Sequence, residues 1–322
     1  AASDVYKRQV LEVCIEDPDE PKDPETPHFI PAYSQKVKAS KEFQTFQFDH
    51  SFVLNSLKSS MEGYVFHNQP LDTDDLLEQT VKLFNSCKTS LELFDMLHNM
   101  RAYDDSTYAH SLNVALICRR IGKWLKVDAA TLDTLTLCGL LHDIGKLKIP
   151  DEILNKPDKY TDEEFDLVKR HTKFGYELLK TLNIDPHIKK AALLHHERCD
   201  GSGYPLKATQ KDLDDFSMVV AIADVYDAMT AARSYRAPLC PFQVIERFEQ
   251  EGLQKYKPKF ILTFLQHIAS TYQNNRVLLS NGQSANIVML NQQHLARPIV
   301  QLNDNSCIDL STRLDLHIQS IL

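Results

Sequence analysis

The chain has 322 residues, of which 25% are charged and 43% hydrophobic, an ordinary soluble balance and enough length for one large domain with smaller appendages. Its formal net charge of -8 argues against a DNA or RNA duplex as partner, because that binding needs a basic stripe to displace counterions. No run approaches the roughly eighteen consecutive apolar residues of a membrane span, and no basic segment followed by an apolar one marks a leader, so a cytoplasmic location is expected.

Residues 16 to 34 combine DPDEPKDPETP with PHFIP, too rich in proline and acid to pack, and read as a linker or irregular arm. The region before Leu71 carries no legible ligand fold; its FQFDHSFVLNSL segment could pack on a helical core or on a second subunit. From about Leu71 to Met100, leucine, valine and phenylalanine recur at helical spacing, with Asp72 or Thr73 available as cap. YAHSLNVALICRRIGKWLK, residues 108 to 126, predicts an amphipathic helix whose His110 looks inward. LDTLTLCGLLHDIGKLKIP predicts a buried helix with His142 and Asp143 in its last turns, broken by Gly145 and Pro150.

TDEEFDLVKRHTKFGYELLKTL opens with a capping box, Thr161 and Glu164, and should run as one helix carrying His171. A further helix from 188 to about 197 delivers His195 and His196 into a glycine-rich turn. FSMVVAIADVYDAMTA is an apolar helix with Asp224 and Asp227 on one side. Two last helices flank Lys257-Pro258. After Tyr272, short β-branched runs separated by Asn-Gly and Asn-Asp turns predict a tail of three or four strands, closed by DLHIQSIL. The fold class is mainly α with a small strand-rich C-terminal subdomain. The expected organisation is residues 1-70 as an arm or small regulatory region, 71-275 as the helical domain and 276-322 as the strand-rich part.

The chemistry gathers in His110, His142, Asp143, His171, His195, His196 and Asp224. Imidazole nitrogens with carboxylate oxygens suit Fe, Mn, Zn, Ni or Co rather than Mg or Ca alone. The seven cysteines stand singly with no CxxC spacing, which excludes a zinc knuckle and reads as reduced small hydrophobes. Neighbouring helical residues point about 100° apart, so each half of the His142-Asp143 and His195-His196 pairs serves different ligands or different metals. The economical assignment gives His110, His142, Asp143 and Asp224 to one metal and Asp143, His171, His195 and His196 to a second, with Asp143 bridging. Two metals so held can share a hydroxide that attacks phosphorus.

In this order, YAHSLNVA, LLHDIGKLKIPDEILNKP, KRHTKFGYELL, HHERCDGSGYP and IADVYDAMTAARSYR resemble the HD-GYP family of bacterial phosphodiesterases that open cyclic di-GMP, over roughly residues 100 to 275. The resemblance implies an HD-type multi-helix catalytic domain that hydrolyses cyclic di-GMP to pGpG, with GMP as end product left open. It implies two divalent metals, Fe or Mn foremost, with Zn, Ni or Co able to occupy the site in purified protein. It makes Gly203-Tyr204-Pro205 the signature loop facing substrate. Asp143 and Lys146 become the catalytic pair, Lys146 serving the scissile phosphate and the leaving 3'-oxygen. Arg233 and Arg236 become phosphate clamps, a task suited to arginine's fork. Asp227 becomes the carboxylate behind a ligand histidine or Lys146. Members with a third metal carry a glutamate one turn before the first histidine, where this chain has Ser106, which favours two metals.

Two other readings stay beside this one: a nucleotide-binding sensor with little activity, and a phosphodiesterase for another cyclic dinucleotide. Intact ligands together with Lys146 favour the enzyme. A homodimer or a signalling partner is compatible with the sequence but not specified by it.

Overall fold

The computed structural model describes residues 32-100, 106-156, 158-231 and 239-322. Helix α1 spans Ala32–Ala39, so the chain is already helical at the end of the segment expected to be irregular. Helix α2, Lys41–His67, starts where the Ser40 side chain accepts the Phe43 N–H and stops at Asn68, whose φ of 52° suits asparagine. One face of α2 buries Phe43, Phe46, Val53, Leu54, Leu57 and Met61 in the main core; Phe48 and Phe52 stay exposed. The FQFDHSFVLNSL segment therefore packs on the helical core along one face.

The expected helix from 71 to 100 is two helices, α3 (Thr73–Ser86) and α4 (Ser90–Met100). Asp72 caps the first. The break has a local cause: Thr89 accepts the Glu92 N–H while the Glu92 carboxylate accepts the Lys88 N–H, which starts a new helix.

Helix α5, Thr107–Trp124, is buried on every side from Ala109 to Gly122 and forms the axis of the domain. Helix α6 (Ala129–Leu141) packs along it and gives way to a short 3-10 turn, Ile144–Lys148, followed by α7 (Asp151–Leu154). The predicted helix around His171 is divided into α8 (Asp162–Lys169), opened by the Thr161–Glu164 capping box, and α9 (His171–Leu179). The division lies at Arg170, whose N–H reaches back three residues to the Leu167 carbonyl and tightens the turn.

Helices α10 (Pro186–Leu194) and α11 (Asp215–Thr230) complete the wall around the site, and α12 (Pro241–Lys255) and α13 (Pro258–Thr271) close the bundle. No described helix is long and apolar enough to cross a membrane. Among the described residues the cysteines are free thiols.

The C-terminal part is an antiparallel sheet of five strands, one or two more than the turns predicted: β1 (Arg276–Leu279), β2 (Ser284–Met289), β3 (Ile299–Leu302), β4 (Cys307–Asp309) and β5 (Ile318–Ile321). Their order is β4-β3-β2-β1-β5, so the last strand returns to pair with the first. Val277, Leu279, Ala285, Ile287 and Val300 face inward and join the same hydrophobic cluster as the helices. Arg297 ties the sheet to α12 through Glu246 at 2.6 Å and donates to the Leu316 carbonyl at 2.8 Å.

Leu57 is fully buried on α2 while Asn55 is exposed on the same helix. Leu57→Ala is expected to lower the unfolding free energy by about 2–5 kcal/mol, and Asn55→Ala by roughly 0.5 kcal/mol or less, measured by denaturant titration.

Candidate metal centre

Three helix ends converge on the seven predicted ligand residues. His142 is the residue that ends α6, His195 the one that ends α10, and His171 follows α8 directly after Arg170. The histidines anchor on carbonyls in the last turn of the preceding helix; that of Ala191 also accepts the His195 backbone N–H. Nδ1 of His142 lies 2.7 Å from the Gly139 carbonyl, Nδ1 of His171 2.7 Å from that of Val168, and Nδ1 of His195 2.9 Å from that of Ala191. A carbonyl only accepts, so each Nδ1 carries a proton and each ring turns Nε2 into the centre, where the neutral form presents a lone pair. His110, inside α5, is held instead by a carboxylate: its Nδ1 sits 2.8 Å from Asp227 Oδ2. Helix C-termini also carry partial negative charge, which favours a cation where they meet.

The inward atoms form two groups, His110–His142–Asp224 and Asp143–His171–His195–His196, each with its ligand-type atoms within 4.8 Å of one another. Asp143 faces both. Its Oδ2 is 3.3 Å from His142 Nε2 and 3.8 Å from His110 Nε2; its Oδ1 is 3.4 Å from His171 Nε2 and 3.7 Å from His195 Nε2. Asp224 contributes Oδ1 at 3.1 Å from His110 Nε2 and Oδ2 at 3.6 Å from His196 Nδ1. The Nε2 atoms of His171 and His195 approach to 3.3 Å. Both are lone-pair atoms by the anchoring argument, so they repel unless a cation lies between them. The donor set and its orientation fit divalent metals.

Charge states follow from burial and neighbours. Burial pushes His171 down to about 4, outweighing the pull of Asp143. Burial, with His142 beside it, holds His195 well below its ordinary value; burial, with His195 beside it, does the same for His196. Burial opposes ionisation of Asp143, yet His142 and Lys146 hold its carboxyl well below the usual range. Asp224 likewise resists its burial, held at about 2 by His110. His110 goes the other way: burial disfavours its charge, but Asp224 and Asp227 raise it to about 9.

Lys146 is buried in the 3-10 turn, with Nζ 2.5 Å from Asp143 Oδ2. Gly145, next to it, has no room for a side chain: a Cβ would lie 1.9 Å from the His171 carbonyl oxygen and 2.4 Å from the Gly175 nitrogen. That close approach lets the turn after Asp143 lie directly on the start of α9.

Gly203 is equally constrained, since a Cβ there would meet the backbone of His196, Glu197 and Arg198 at 2.4–2.5 Å. The loop after α10 thus folds back on the His195-His196 corner. The Tyr204 N–H donates to the His196 carbonyl at 3.3 Å, and its ring lies 4.8 Å from the His196 ring. Pro205 follows through a cis peptide bond. Ser106, the position of interest for a third metal, caps α5 by accepting the Ala109 N–H. Arg233 and Arg236 lie outside the described residues.

Sequence reading overlooked Glu197, which is fully buried and accepts the backbone N–H groups of Leu206 and Ala208. Its signal was position: a carboxylate directly after two adjacent buried histidines, where solvent is absent.

A histidine–aspartate pair at the junction of converging helix ends defines the class of helical domains named for that pair. The family model described as HD domain matches residues 75–260, more than half of the chain. The chain belongs to this family. It is similar to the 3'3'-cGAMP-specific phosphodiesterase 2 of Vibrio cholerae, 34% identical over 183 residues, covering 56% of this chain and 35% of the relative. A cyclic di-GMP phosphodiesterase of Pseudomonas aeruginosa is 32% identical over 207 residues, 64% of this chain and 50% of its own. One of Thermotoga maritima is 35% identical over 178 residues, 54% and 48% respectively. The chain therefore spans half or less of the length of each of these relatives.

With its pKa raised to about 9, His110 is protonated at pH 7 in the metal-free protein, whereas a metal requires the neutral ring. Metal loading at pH 7 is expected to release about one proton from this histidine, and affinity to rise with pH up to about 9 before levelling. Calorimetric titration in two buffers of different ionisation enthalpy measures the proton count; zero release would contradict the charge assigned to His110.

Proposed function

We propose that the chain is a metal-dependent phosphodiesterase that hydrolyses cyclic di-GMP to pGpG. The observation that carries this reading is the carboxylate of Asp143, with one oxygen facing His110 and His142 and the other facing His171 and His195. That arrangement supports two divalent metals, Fe or Mn, one held by His110, His142, Asp143 and Asp224, the other by Asp143, His171, His195 and His196. Metals bound there would supply Lewis acidity toward the phosphodiester and a water made nucleophilic near neutral pH.

The protein's own groups do the rest. Asp227 fixes the ring of His110, and the carbonyls of Gly139, Val168 and Ala191 fix those of His142, His171 and His195. The Nζ of Lys146, beside Asp143, is assigned to the departing 3'-oxygen as its proton donor. Arg233 and Arg236 are assigned to the substrate phosphates, and Gly203, Tyr204 and Pro205 to the face that receives the nucleotide. Ser106 supplies a hydroxyl rather than a carboxylate, which supports the two-metal form. Catalysis is assigned to residues 71-275, with 1-70 and 276-322 as accessory segments.

The mixed GMP-AMP ring is a second substrate reading, favoured by the similarity to the Vibrio cholerae relative named for 3'3'-cGAMP. Anaerobic purification, metal quantification and product chromatography with Mn(II) or Fe(II) separate the readings. Cyclic di-GMP is expected to yield pGpG; faster consumption of 3'3'-cGAMP would reassign the substrate. Two bound metals with both rings left intact would replace the enzyme by a binding sensor.

His142→Ala combined with Asp143→Ala is expected to abolish bound metal and turnover while the helical circular dichroism is kept. Unchanged hydrolysis by the metal-stripped double mutant would refute the site. Arg233→Ala is expected to raise KM by roughly tenfold or more, as loss of a charge-assisted hydrogen bond does, with bound metal unchanged; metal loss instead would move this residue into the ligand shell.

A further inference from the structure

We infer that Glu197 is a positioning residue that clamps the loop 203–208 onto the ligand corner and so sets the nucleotide-receiving surface in advance of binding. This inference rests on the phosphodiesterase reading for its substrate, while the clamp itself is a property of the fold.

A carboxyl group with no exposure needs hydrogen-bond partners for its oxygens in place of water. Glu197 finds them in the loop that follows it: Oε1 accepts the Leu206 N–H at 2.6 Å and Oε2 the Ala208 N–H at 2.9 Å. Lys207, between these two amides, takes a φ of 54°, so the backbone turns to present both donors to one side chain. The opposite end of the loop is pinned by Asp200, whose Oδ1 accepts both the N–H and the hydroxyl of Ser202. Gly203 lies against the backbone of Glu197 itself, and the Tyr204 ring lies beside His196.

The far half of the loop, Leu206 to Ala208, is therefore fastened to the side chain of Glu197, while its near half rests on His196 through the Tyr204 N–H and ring. His195 is anchored separately, through the Ala191 carbonyl. Releasing the clamp should therefore disturb the loop and leave His195 in place. A residue that merely filled space would not divide the two effects.

Glu197→Gln keeps the size of the side chain but replaces one of the two acceptor oxygens with a donor NH2. In the full chain loaded with Mn(II), it is expected to raise KM for cyclic di-GMP about tenfold, the factor that loss of a buried hydrogen bond brings, with kcat and metal content changed by less than about twofold. Trypsin cleavage after Lys207, which is exposed, should accelerate by about the same tenfold at unchanged melting temperature. In the unmutated protein, the amides of Leu206 and Ala208 should exchange with deuterium far more slowly than those of an unfastened loop.

Free-loop exchange at Leu206 and Ala208 in the unmutated protein would overturn the clamp without any variant. Parallel loss of metal, kcat and melting temperature in Glu197→Gln would overturn it as well, by making Glu197 a support of the whole centre. Exchange and proteolysis need no substrate, so a failure of cyclic di-GMP hydrolysis would count against the phosphodiesterase reading and leave the clamp standing.

Discussion

Asp143 is a carboxylate with no solvent exposure, and an ion so placed is tolerated only where partners surround it. Lys146 comes from the next turn of chain, His142 from the residue before, and His110, His171 and His195 from three further parts of the sequence. Each approach has a packing requirement of its own. The 3-10 turn that carries Lys146 needs Gly145 to lie against the start of α9, and α5 must be buried on all sides to bring His110 to the centre. The arrangement of the helical domain can be understood as the set of contacts that makes one buried charge acceptable.

The histidines show how a ligand is built locally. His142, His171 and His195 each find the acceptor for Nδ1 three or four residues back, in the final turn of a helix. Each acceptor lies in a helix ending, so the same turn that ends the helix orients the ring. The electrostatics differ between positions: burial lowers His171 and His195, while His110, tied to Asp227 and Asp224 in mid-helix, keeps its proton to higher pH.

Much of this was legible in the sequence because it is local or periodic. The apolar spacing around His110, the capping box at Thr161 and the break after Asp143 all state themselves within a few residues. The division of the 71–100 and 161–182 helices was missed because both patterns keep their apolar period across the break. Thr89 with Glu92 carried the only local notice of the first; the second depends on tightening at Arg170. The closing segment DLHIQSIL was legible, but not its place: β5 pairs with β1 about forty residues earlier, a partnership no turn signal announces. Glu197 was passed over since its partners are main-chain amides, which leave no mark in side-chain identity.

The C-terminal sheet brings its first and last strands together while staying open at both edges. Because β5 pairs with β1, the strand that directly follows α13, the two ends of the sheet's sequence lie side by side. Its outer strands are then β4 and β5, and β4 spans only Cys307–Asp309. An edge of three residues offers few main-chain groups for another strand to add to. The sheet is thereby poorly suited to growth by strand addition at β4, and its attachment to the helices runs instead through the Arg297–Glu246 pair and the shared apolar face.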